Sequence, residues 1–298
     1  MLTRNIIADQ PALRPLKAVL RANTGSFKPQ FINPFGLSDT AWPDFMVIGA
    51  QRAGTISLHN YLAQHPQLVT STDKEVHFFD LNFDRGLKWY RRNFCRRGYL
   101  EGRARRTGMP QLTFETTPYY MHHPAVPARI DDHLPDTRFI VLLRNPIERA
   151  YSHYWNERHN NFETLSFEVA IDAEPQRLAG EADRLAENPG YYSYSHHHHS
   201  YIDRGKYDQQ LDRWFNHFDK SRFLFVKAED FFCDPAATLD KVTSFLTINP
   251  LRGVDFTPLN VGRQKSIVPD YLRKRLNEQF RPHNAGLAYM TGLDIDWM

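Results

Sequence analysis

Cysteine is scarce in this sequence: Cys95 and Cys233 are the only two among 298 residues, and they form no CxxC pair. We therefore expect neither a disulfide framework nor a cysteine-ligated zinc site, and a reducing compartment suits the chain best. Long apolar runs are missing as well, since no stretch approaches the roughly 20 apolar residues of a membrane helix and the N-terminus lacks a signal-peptide core. The sequence predicts a cytoplasmic protein without a transmembrane segment.

A large charge of one sign is also missing. The formal net charge is only +3, which is too small and too dispersed to indicate a nucleic-acid partner. A locally basic site for a small anion remains open. Aromatic residues, in contrast, are plentiful, with 21 Phe and 14 Tyr, so we expect an aromatic core and an aromatic lining for any binding groove.

The order of apolar and polar segments predicts one α/β domain. Buried strands are predicted at residues 45–48, 112–114, 139–143 and 223–226, because these runs lack polar alternation. Helical patterns occur at residues 57–64, 146–158, 167–178, 207–218, 236–246 and 271–280. The alternation predicts a single three-layer domain with a central parallel sheet over residues 44–298. Residues 1–43 are interpreted as an irregular arm, and the polar stretch 159–205 as an insertion that is a lid, a substrate loop or a disordered segment.

The first candidate site follows the strand predicted at 45–48. A glycine-bearing turn leads there into a helix start, and its residues are Gly49, Ala50, Gln51, Arg52, Ala53, Gly54, Thr55, Ile56 and Ser57. Successive backbone N–H groups at such a turn, together with the helix N-terminus, form a concave site suited to phosphate. Thr55 stands where a nucleotide P-loop has its lysine, and Arg52 supplies the cation before Gly54. This displacement argues against an ATPase or kinase; a tight turn with incidental glycines is the alternative.

The second candidate site follows the strand predicted at 139–143. Arg144 ends this strand, Pro146 opens a helix at a position where its missing N–H costs nothing, and Ser152 lies nearly two turns along. Arg144 and Ser152 are therefore placed to reach one phosphate, the first through a charge-assisted fork and the second through its hydroxyl. The alternative is that Arg144 caps the helix or pairs with Glu148.

Together the two segments resemble the sulfotransferase family that uses 3′-phosphoadenosine 5′-phosphosulfate (PAPS) as donor. The family pattern G-x-x-[KR]-x-G-T-[TS] is matched by Gly49, Arg52, Gly54 and Thr55, and the pattern R-[ND]-P-x-x-R-x-x-S by Arg144, Asn145, Pro146, Arg149 and Ser152. The resemblance implies that the first segment binds the 5′-phosphosulfate and the second the 3′-phosphate, within a P-loop-like sulfotransferase fold. It also adds Tyr207, Gly262 and Arg263 to the donor-binding residues. Ile56 departs from the pattern, because a second Thr or Ser usually stands there, so the phosphate cradle loses one hydroxyl.

The run from Lys74 to Asp80 looks like the K-E-x-H-F-F-D stretch of heparan sulfate sulfotransferases and their bacterial relatives, which favours a bacterial origin. The resemblance implies that Glu75 is the general base that deprotonates the acceptor, with His77 as the reserve base. From the residues alone, Glu75 is more simply a surface carboxylate paired with Lys74, and His77 is equally a packed core residue.

The segment from Glu115 to Tyr120 resembles the E-[KT]-[ST]-P-x-Y segment of the same enzymes. Thr116 stands where many of them have lysine, so one polysaccharide contact is missing. The acceptor is therefore expected to be a carbohydrate or a small natural product, sulfated on a hydroxyl or amine.

The implied reaction moves a sulfuryl group, with Arg52 stabilising the leaving phosphate, and requires no metal ion. Residues 196–199 are four histidines, and adjacent histidines do not project to one side in any regular structure. We interpret them as a mobile, polar acceptor loop rather than a metal site. The alternative functions are a P-loop-type small-molecule kinase and a noncatalytic nucleotide-binding module. Nothing in the sequence indicates an oligomeric state.

Overall fold

A five-stranded parallel sheet organises the part of the chain that the computed structural model describes, residues 39–257 and 267–297. Its strands are β1 (Phe45–Gly49), β2 (Leu68–Thr70), β3 (Leu112–Thr116), β4 (Arg138–Leu143) and β5 (Phe223–Lys227), in the order β2-β3-β1-β4-β5. Four of them confirm the predicted strands, whereas β2 is too short to carry a periodic signal. The predicted N-terminal arm lies almost wholly outside the described residues.

Helices flank the sheet. In chain order they are α1 (Thr55–Leu62), α2 (Gly86–Arg91), α3 (Arg97–Thr107), α4 (Val126–Asp131), α5 (Pro146–His159), α6 (Phe167–Leu178), α7 (Glu181–Glu187), α8 (Tyr194–His198), α9 (Tyr207–Phe215), α10 (Ala228–Cys233), α11 (Pro235–Leu246), α12 (Asp270–Asn284) and α13 (Leu287–Thr291). The predicted helices are present as α1, α5, α6, α9, α11 and α12, and the predicted α/β fold with a central parallel sheet is confirmed. Within the described ranges, no helix is long and apolar enough to cross a membrane.

Aromatic packing holds the centre of the sheet. Every residue of β1 is buried, as expected for a strand covered on both faces. Phe45 of β1 stacks on Phe114 of β3 with ring centroids 5.0 Å apart, and Phe139 of β4 meets Trp214 of α9 edge-on, also at 5.0 Å. Burial of each Phe contributes roughly 1.5–3 kcal/mol to the free energy of folding. Strands β1 and β4 therefore form a rigid base for the loops that follow them.

The sheet order creates a switch point between β1 and β4. From β1 the chain runs to β2 and β3 on one side of the sheet, and it then crosses to β4 and β5 on the other. The connections that leave β1 and β4 therefore diverge, which opens a crevice at the carboxyl ends of these strands. The loop after β1 and the start of α5 both border this crevice, as the donor-site prediction requires.

The insertion at residues 159–205 is largely helical, and the interpretation of its four histidines as a mobile loop is wrong. Ser193 caps α8 by accepting a hydrogen bond from the backbone N–H of His196 at 3.0 Å. His196 is only 3% exposed, and its Nδ1 lies 2.7 Å from the hydroxyl of Tyr119. A run of polar residues shows no helical periodicity, so the cap and tertiary contacts such as that with Tyr119 explain why the segment is folded.

Candidate active site at the carboxyl edge of the sheet

The β1 loop, residues 49–57, turns sharply from β1 into α1. Gly54 precedes the helix with a φ of +95°, a left-handed conformation that only glycine adopts readily. A Cβ atom at this position would lie 2.7 Å from the ring of Phe232, so no side chain fits there. The first turn of α1 carries no acidic residue, and the N-terminal end of a helix favours an anion.

Arg52 joins the β1 loop to α5. Its Nε donates to the hydroxyl of Ser152 at 3.1 Å, and its Nη1 donates to Oδ1 of Asn156 at 3.3 Å. Arg144 donates from Nη1 to the backbone oxygen of Arg52 at 2.9 Å. Tyr207 donates its hydroxyl to the backbone oxygen of Arg144 at 2.9 Å. Four of the predicted phosphate-binding residues therefore lie in one contact network.

Asn145 and Pro146 begin α5 as the sequence predicts. The side-chain oxygen of Asn145 accepts hydrogen bonds from two backbone N–H groups of the first turn, at 3.0 and 3.3 Å. The alternative pairing of Arg144 with Glu148 is not formed, because Glu148 pairs with Arg273 at 2.6 Å. Glu148 therefore does not hold the guanidinium of Arg144, which can serve the crevice.

Arg52 and Arg144 bring two guanidinium groups close together. Burial lowers the pKa of Arg52 below its usual value, and the charge of Arg144 lowers it further, against an opposing effect of Glu157. Two neighbouring cations repel each other, and a phosphate or sulfate group placed beside them relieves that repulsion. The charge distribution therefore favours a ligand with anionic oxygen atoms.

The other predicted residues of the β1 loop are contiguous with this network. Gln51 accepts a hydrogen bond from Arg204 through its side-chain oxygen. Gly49 packs so closely on Met121 that an added Cβ would approach the Met121 Cβ to 2.7 Å. Ala53 and Thr55 are buried, whereas Ile56 and Ser57 are partly exposed. The remaining predicted donor-site residues, Gly262 and Arg263, lie outside the described residues.

Glu75, His77 and Asp80 form a chain of contacts near the carboxyl end of β3. His77 lies between two carboxylates, with Nε2 3.3 Å from Oε2 of Glu75 and Nδ1 2.8 Å from Oδ2 of Asp80. Lys74 contacts Oε1 of Glu75 at 3.3 Å, so the expected ion pair is present alongside the histidine contact. The backbone N–H of Thr116 donates to the backbone oxygen of Lys74 at 3.3 Å and ties the segment to the sheet.

These contacts determine the charge states of the pair. Burial raises the pKa of Glu75, but the hydrogen bond from His77 and the charge of Lys74 outweigh it and lower the pKa to about 2. Burial lowers the pKa of His77, but Asp80 and Glu75 outweigh it and raise the pKa to about 10. At neutral pH Glu75 is an ionised carboxylate, and His77 is an imidazolium without a free lone pair. Of these two side chains, Glu75 is therefore the one with an unprotonated acceptor atom.

Asn156 and Glu157 are candidate site residues that the sequence patterns missed, and they contact His198, which the sequence analysis had placed in an acceptor loop. Glu157 is 3% exposed; its Oε2 lies 2.8 Å from Nδ1 of His198, and its Oε1 accepts a hydrogen bond from Nδ2 of Asn156 at 3.0 Å. Because Asn156 also binds Arg52, these residues connect α8 to the β1 loop. The spacing of four between Ser152 and Asn156, which puts both on one face of α5, is the only hint in the sequence.

β3 ends beside a buried carboxyl group. Glu115 is fully buried and accepts hydrogen bonds from the hydroxyls of Tyr90 at 2.5 Å and Thr117 at 3.2 Å. Burial raises the pKa of Glu115 to about 7 despite these hydrogen bonds. The neighbouring Thr116 is also buried, and its hydroxyl lies 2.9 Å from Nδ1 of His59. Position 116 therefore contributes to the core and presents no cation to the crevice.

One group of side chains has the composition of a metal site. His122, His196 and Asp203 each offer one ligand atom, and these atoms lie within 4.8 Å of one another. Burial lowers the pKa of His122, and the charges of His196, Arg204 and Arg213 lower it further. The same positive field opposes a metal cation, and we assign none to this group.

Comparisons with known proteins agree with this geometry. A family model described as "Sulfotransferase domain" matches residues 42–256. The mouse protein "Heparan sulfate glucosamine 3-O-sulfotransferase 6" is 31% identical over 284 residues, covering 86% of this chain and 74% of its own length. The human protein "Heparan sulfate glucosamine 3-O-sulfotransferase 3B1" is 31% identical over 283 residues, covering 86% of this chain and 65% of its own. A solved sulfotransferase from Alicyclobacillus acidocaldarius is 26% identical with a TM-score of 0.64, covering 86% of this chain and 99% of that one.

Proposed function

The chain belongs to the sulfotransferase family, and from this premise we propose that it transfers the sulfuryl group of PAPS to a carbohydrate or small-molecule acceptor, with Glu75 as general base. The pair formed by Arg52 and Arg144 supports this function most strongly. Two guanidinium groups beside a helix N-terminus suit a donor that carries phosphate at two places. The names of the heparan sulfate relatives favour a carbohydrate acceptor.

The donor-binding roles follow from the contacts of each residue. The β1 loop and Arg52 hold the 5′-phosphosulfate, because Gly54 leaves the helix N-terminus open to it. Arg144 and Ser152 bind the 3′-phosphate, and Tyr207 positions Arg144 through its backbone oxygen. Gly262 and Arg263 stay in this set as a prediction from the resemblance.

The transfer itself is an in-line displacement at sulfur. The acceptor oxygen or nitrogen forms a bond to sulfur while the bond between sulfur and the 5′-phosphate oxygen breaks, and the electron pair leaves on 3′-phosphoadenosine 5′-phosphate (PAP). Glu75 takes the acceptor proton, and Arg52 stabilises the charge that develops on the leaving phosphate. His77, held by Asp80, keeps the carboxylate of Glu75 oriented. The two arginines supply the positive charge, so the reaction as written requires no metal ion.

A cytoplasmic location and a bacterial origin remain predictions. Cys95 and Cys233 are both free, which is compatible with a reducing compartment. The modest net charge argues against a nucleic-acid partner.

Nucleotide binding tests this function against a P-loop kinase and a noncatalytic nucleotide-binding module. We expect the protein to bind PAP at least tenfold more tightly than ADP in titration calorimetry, and to release PAP from PAPS when acceptors are supplied. Equal or tighter binding of ADP would overturn the sulfotransferase function in favour of a kinase. Tight PAP binding without turnover on any acceptor would instead favour a binding module.

A further inference from the structure

Aromatic side chains cover the surface next to the proposed base. Phe162, Tyr192 and Tyr194 are large and exposed, at 39%, 42% and 45% of their accessible surface. With His197 and His198 of α8 they form what we call the aromatic platform. Exposed aromatic residues are costly unless they bind something, and three in one place indicate a ligand surface.

The platform is continuous with the catalytic carboxylate. His198 lies between the rings of Phe162 and Tyr194, with centroid distances of 4.3 and 4.7 Å. His197 lies 4.6 Å from His198 and 6.3 Å from His77. Since Nε2 of His77 contacts Glu75 at 3.3 Å, a molecule that spans the platform reaches the proposed base.

Hydrogen-bonding groups are interleaved with the rings. The hydroxyl of Tyr192 lies 3.1 Å from Nδ1 of His197 and 3.0 Å from Nε2 of His198. Burial lowers the pKa of His197 well below its usual value, and His198 and Arg204 lower it further, so this imidazole is neutral. The platform thus offers ring faces together with the hydroxyl of Tyr192 and the neutral imidazole of His197.

Among the described residues, three cations near the platform are held by contacts within the protein. Lys74 pairs with Glu75 at 3.3 Å, and Arg177 pairs with Glu163 at 2.6 Å. Arg158 donates to the backbone oxygen of Thr164 at 2.7 Å. An acidic acceptor would have to compete with these contacts, and it would lie close to the carboxylate of Glu75 and the phosphates of the donor, where like charges repel.

We propose that the aromatic platform binds uncharged pyranose rings of the acceptor and presents one of their hydroxyls to Glu75. This acceptor specificity rests on the proposed sulfotransferase function and narrows its acceptors to neutral glycans. The C–H face of a pyranose stacks on the electron-rich face of Tyr or Phe, and its hydroxyls exchange hydrogen bonds with Tyr192 and the imidazoles. A neutral ring adds no further negative charge to a crevice that already holds the donor.

A matched pair of oligosaccharides tests this proposal on the PAP-loaded protein. One probe is cellohexaose, and the other is the hexamer of the same linkage in which every C6 is oxidised to a carboxylate. We expect calorimetry to give at least tenfold tighter binding of cellohexaose, and saturation-transfer NMR to show contacts along its C–H faces. Absence of cellohexaose binding, or binding of the oxidised hexamer that is as tight, would overturn the proposal. The preference for PAP over ADP tests the sulfotransferase function separately from this proposal.

Variants of the platform tie the binding to these side chains. Tyr192→Ala and Tyr194→Ala should each raise the dissociation constant of cellohexaose about fivefold and leave PAP binding unchanged, whereas Tyr192→Phe, which keeps the ring, should lose less. Tyr289→Ala is the matched control, because Tyr289 is 89% exposed and lies on α13. Unchanged cellohexaose affinity in both alanine variants would overturn the proposal even if the glycan binds elsewhere.

Discussion

The guanidinium of Arg52 donates to the hydroxyl of Ser152 at 3.1 Å, so the loop after β1 and the helix after β4 meet through two side chains of the proposed donor site. In the family patterns these residues belong to opposite ends of the donor. Under the proposed function, their contact places the binding sites for both ends of the donor in one small crevice. A phosphate that replaces this hydrogen bond gains a cation and a hydroxyl that are already in position.

Ser152→Ala should selectively weaken binding of the 3′-phosphate. We expect the dissociation constant of PAP to rise about tenfold, because a hydrogen bond to a charged group is lost. Binding of 5′-AMP, which lacks the 3′-phosphate, should not change. Calorimetry with both nucleotides measures this, with Ser166→Ala, an exposed serine, as control. An equal loss for PAP and 5′-AMP would show that Ser152 acts only by positioning Arg52.

Ile56→Thr should strengthen donor binding. Ile56 occupies the second position of α1, is partly exposed and brings no hydroxyl to the phosphate cradle. Threonine there adds one donor beside Thr55, and we expect PAP affinity to rise about threefold to tenfold. Ile56→Val is the matched control, since valine has the shape of threonine without the hydroxyl. A gain in both variants would trace the effect to shape rather than hydrogen bonding.

Glu75→Gln should abolish turnover without affecting donor affinity. The amide keeps the size of the side chain but accepts no proton, so kcat should fall about 10²–10⁴-fold. The PAP dissociation constant should stay within twofold, because Glu75 contacts Lys74 and His77 rather than the β1 loop. Glu101→Gln, on the exposed side of α3, controls for the loss of a charge. Retained activity would move the base role to another residue.

Sequence patterns predicted the parts of this site that are local in the chain. The β1 loop and the start of α5 each follow a strand end that leads into a helix start. This pattern made Arg52, Arg144 and Ser152 candidates, and the family resemblance then favoured them over the alternatives. His77 was an open choice between base and core residue. It lies between Glu75 and Asp80, whose carboxylates raise its pKa to about 10, and its role as reserve base stays a prediction.

Contacts between distant segments were out of reach of the sequence. Glu157 and His198 are 41 residues apart, and neither belongs to a recognisable motif. α8 was missed for the same reason, since the side chain of His196 contacts Tyr119, which is 77 residues away in the sequence. β2 has only three residues, and its pairing with β3 is a property of the sheet rather than of the segment.

Glu115 makes stability depend on pH near neutrality. Burial raises its pKa from the ordinary 4.5 to about 7, so between these values the folded protein holds a proton that the unfolded chain has lost. Stability therefore falls as pH rises through this window, by on the order of 3 kcal/mol in full. Glu174, whose pKa burial also raises to about 7, adds a parallel fall.

Glu115→Gln should remove the share of this fall that Glu115 contributes. Glutamine stays uncharged and still accepts the hydrogen bond from Tyr90, so the variant should gain stability relative to the wild type between pH 5 and pH 8. Urea unfolding at both values measures the difference, and Glu187→Gln, an exposed residue at the end of α7, serves as control. Because Glu174 titrates in every one of these proteins, its contribution cancels. Parallel curves for wild type and Glu115→Gln would mean that Glu115 has the same pKa in the folded and unfolded states, as a solvated carboxylate would.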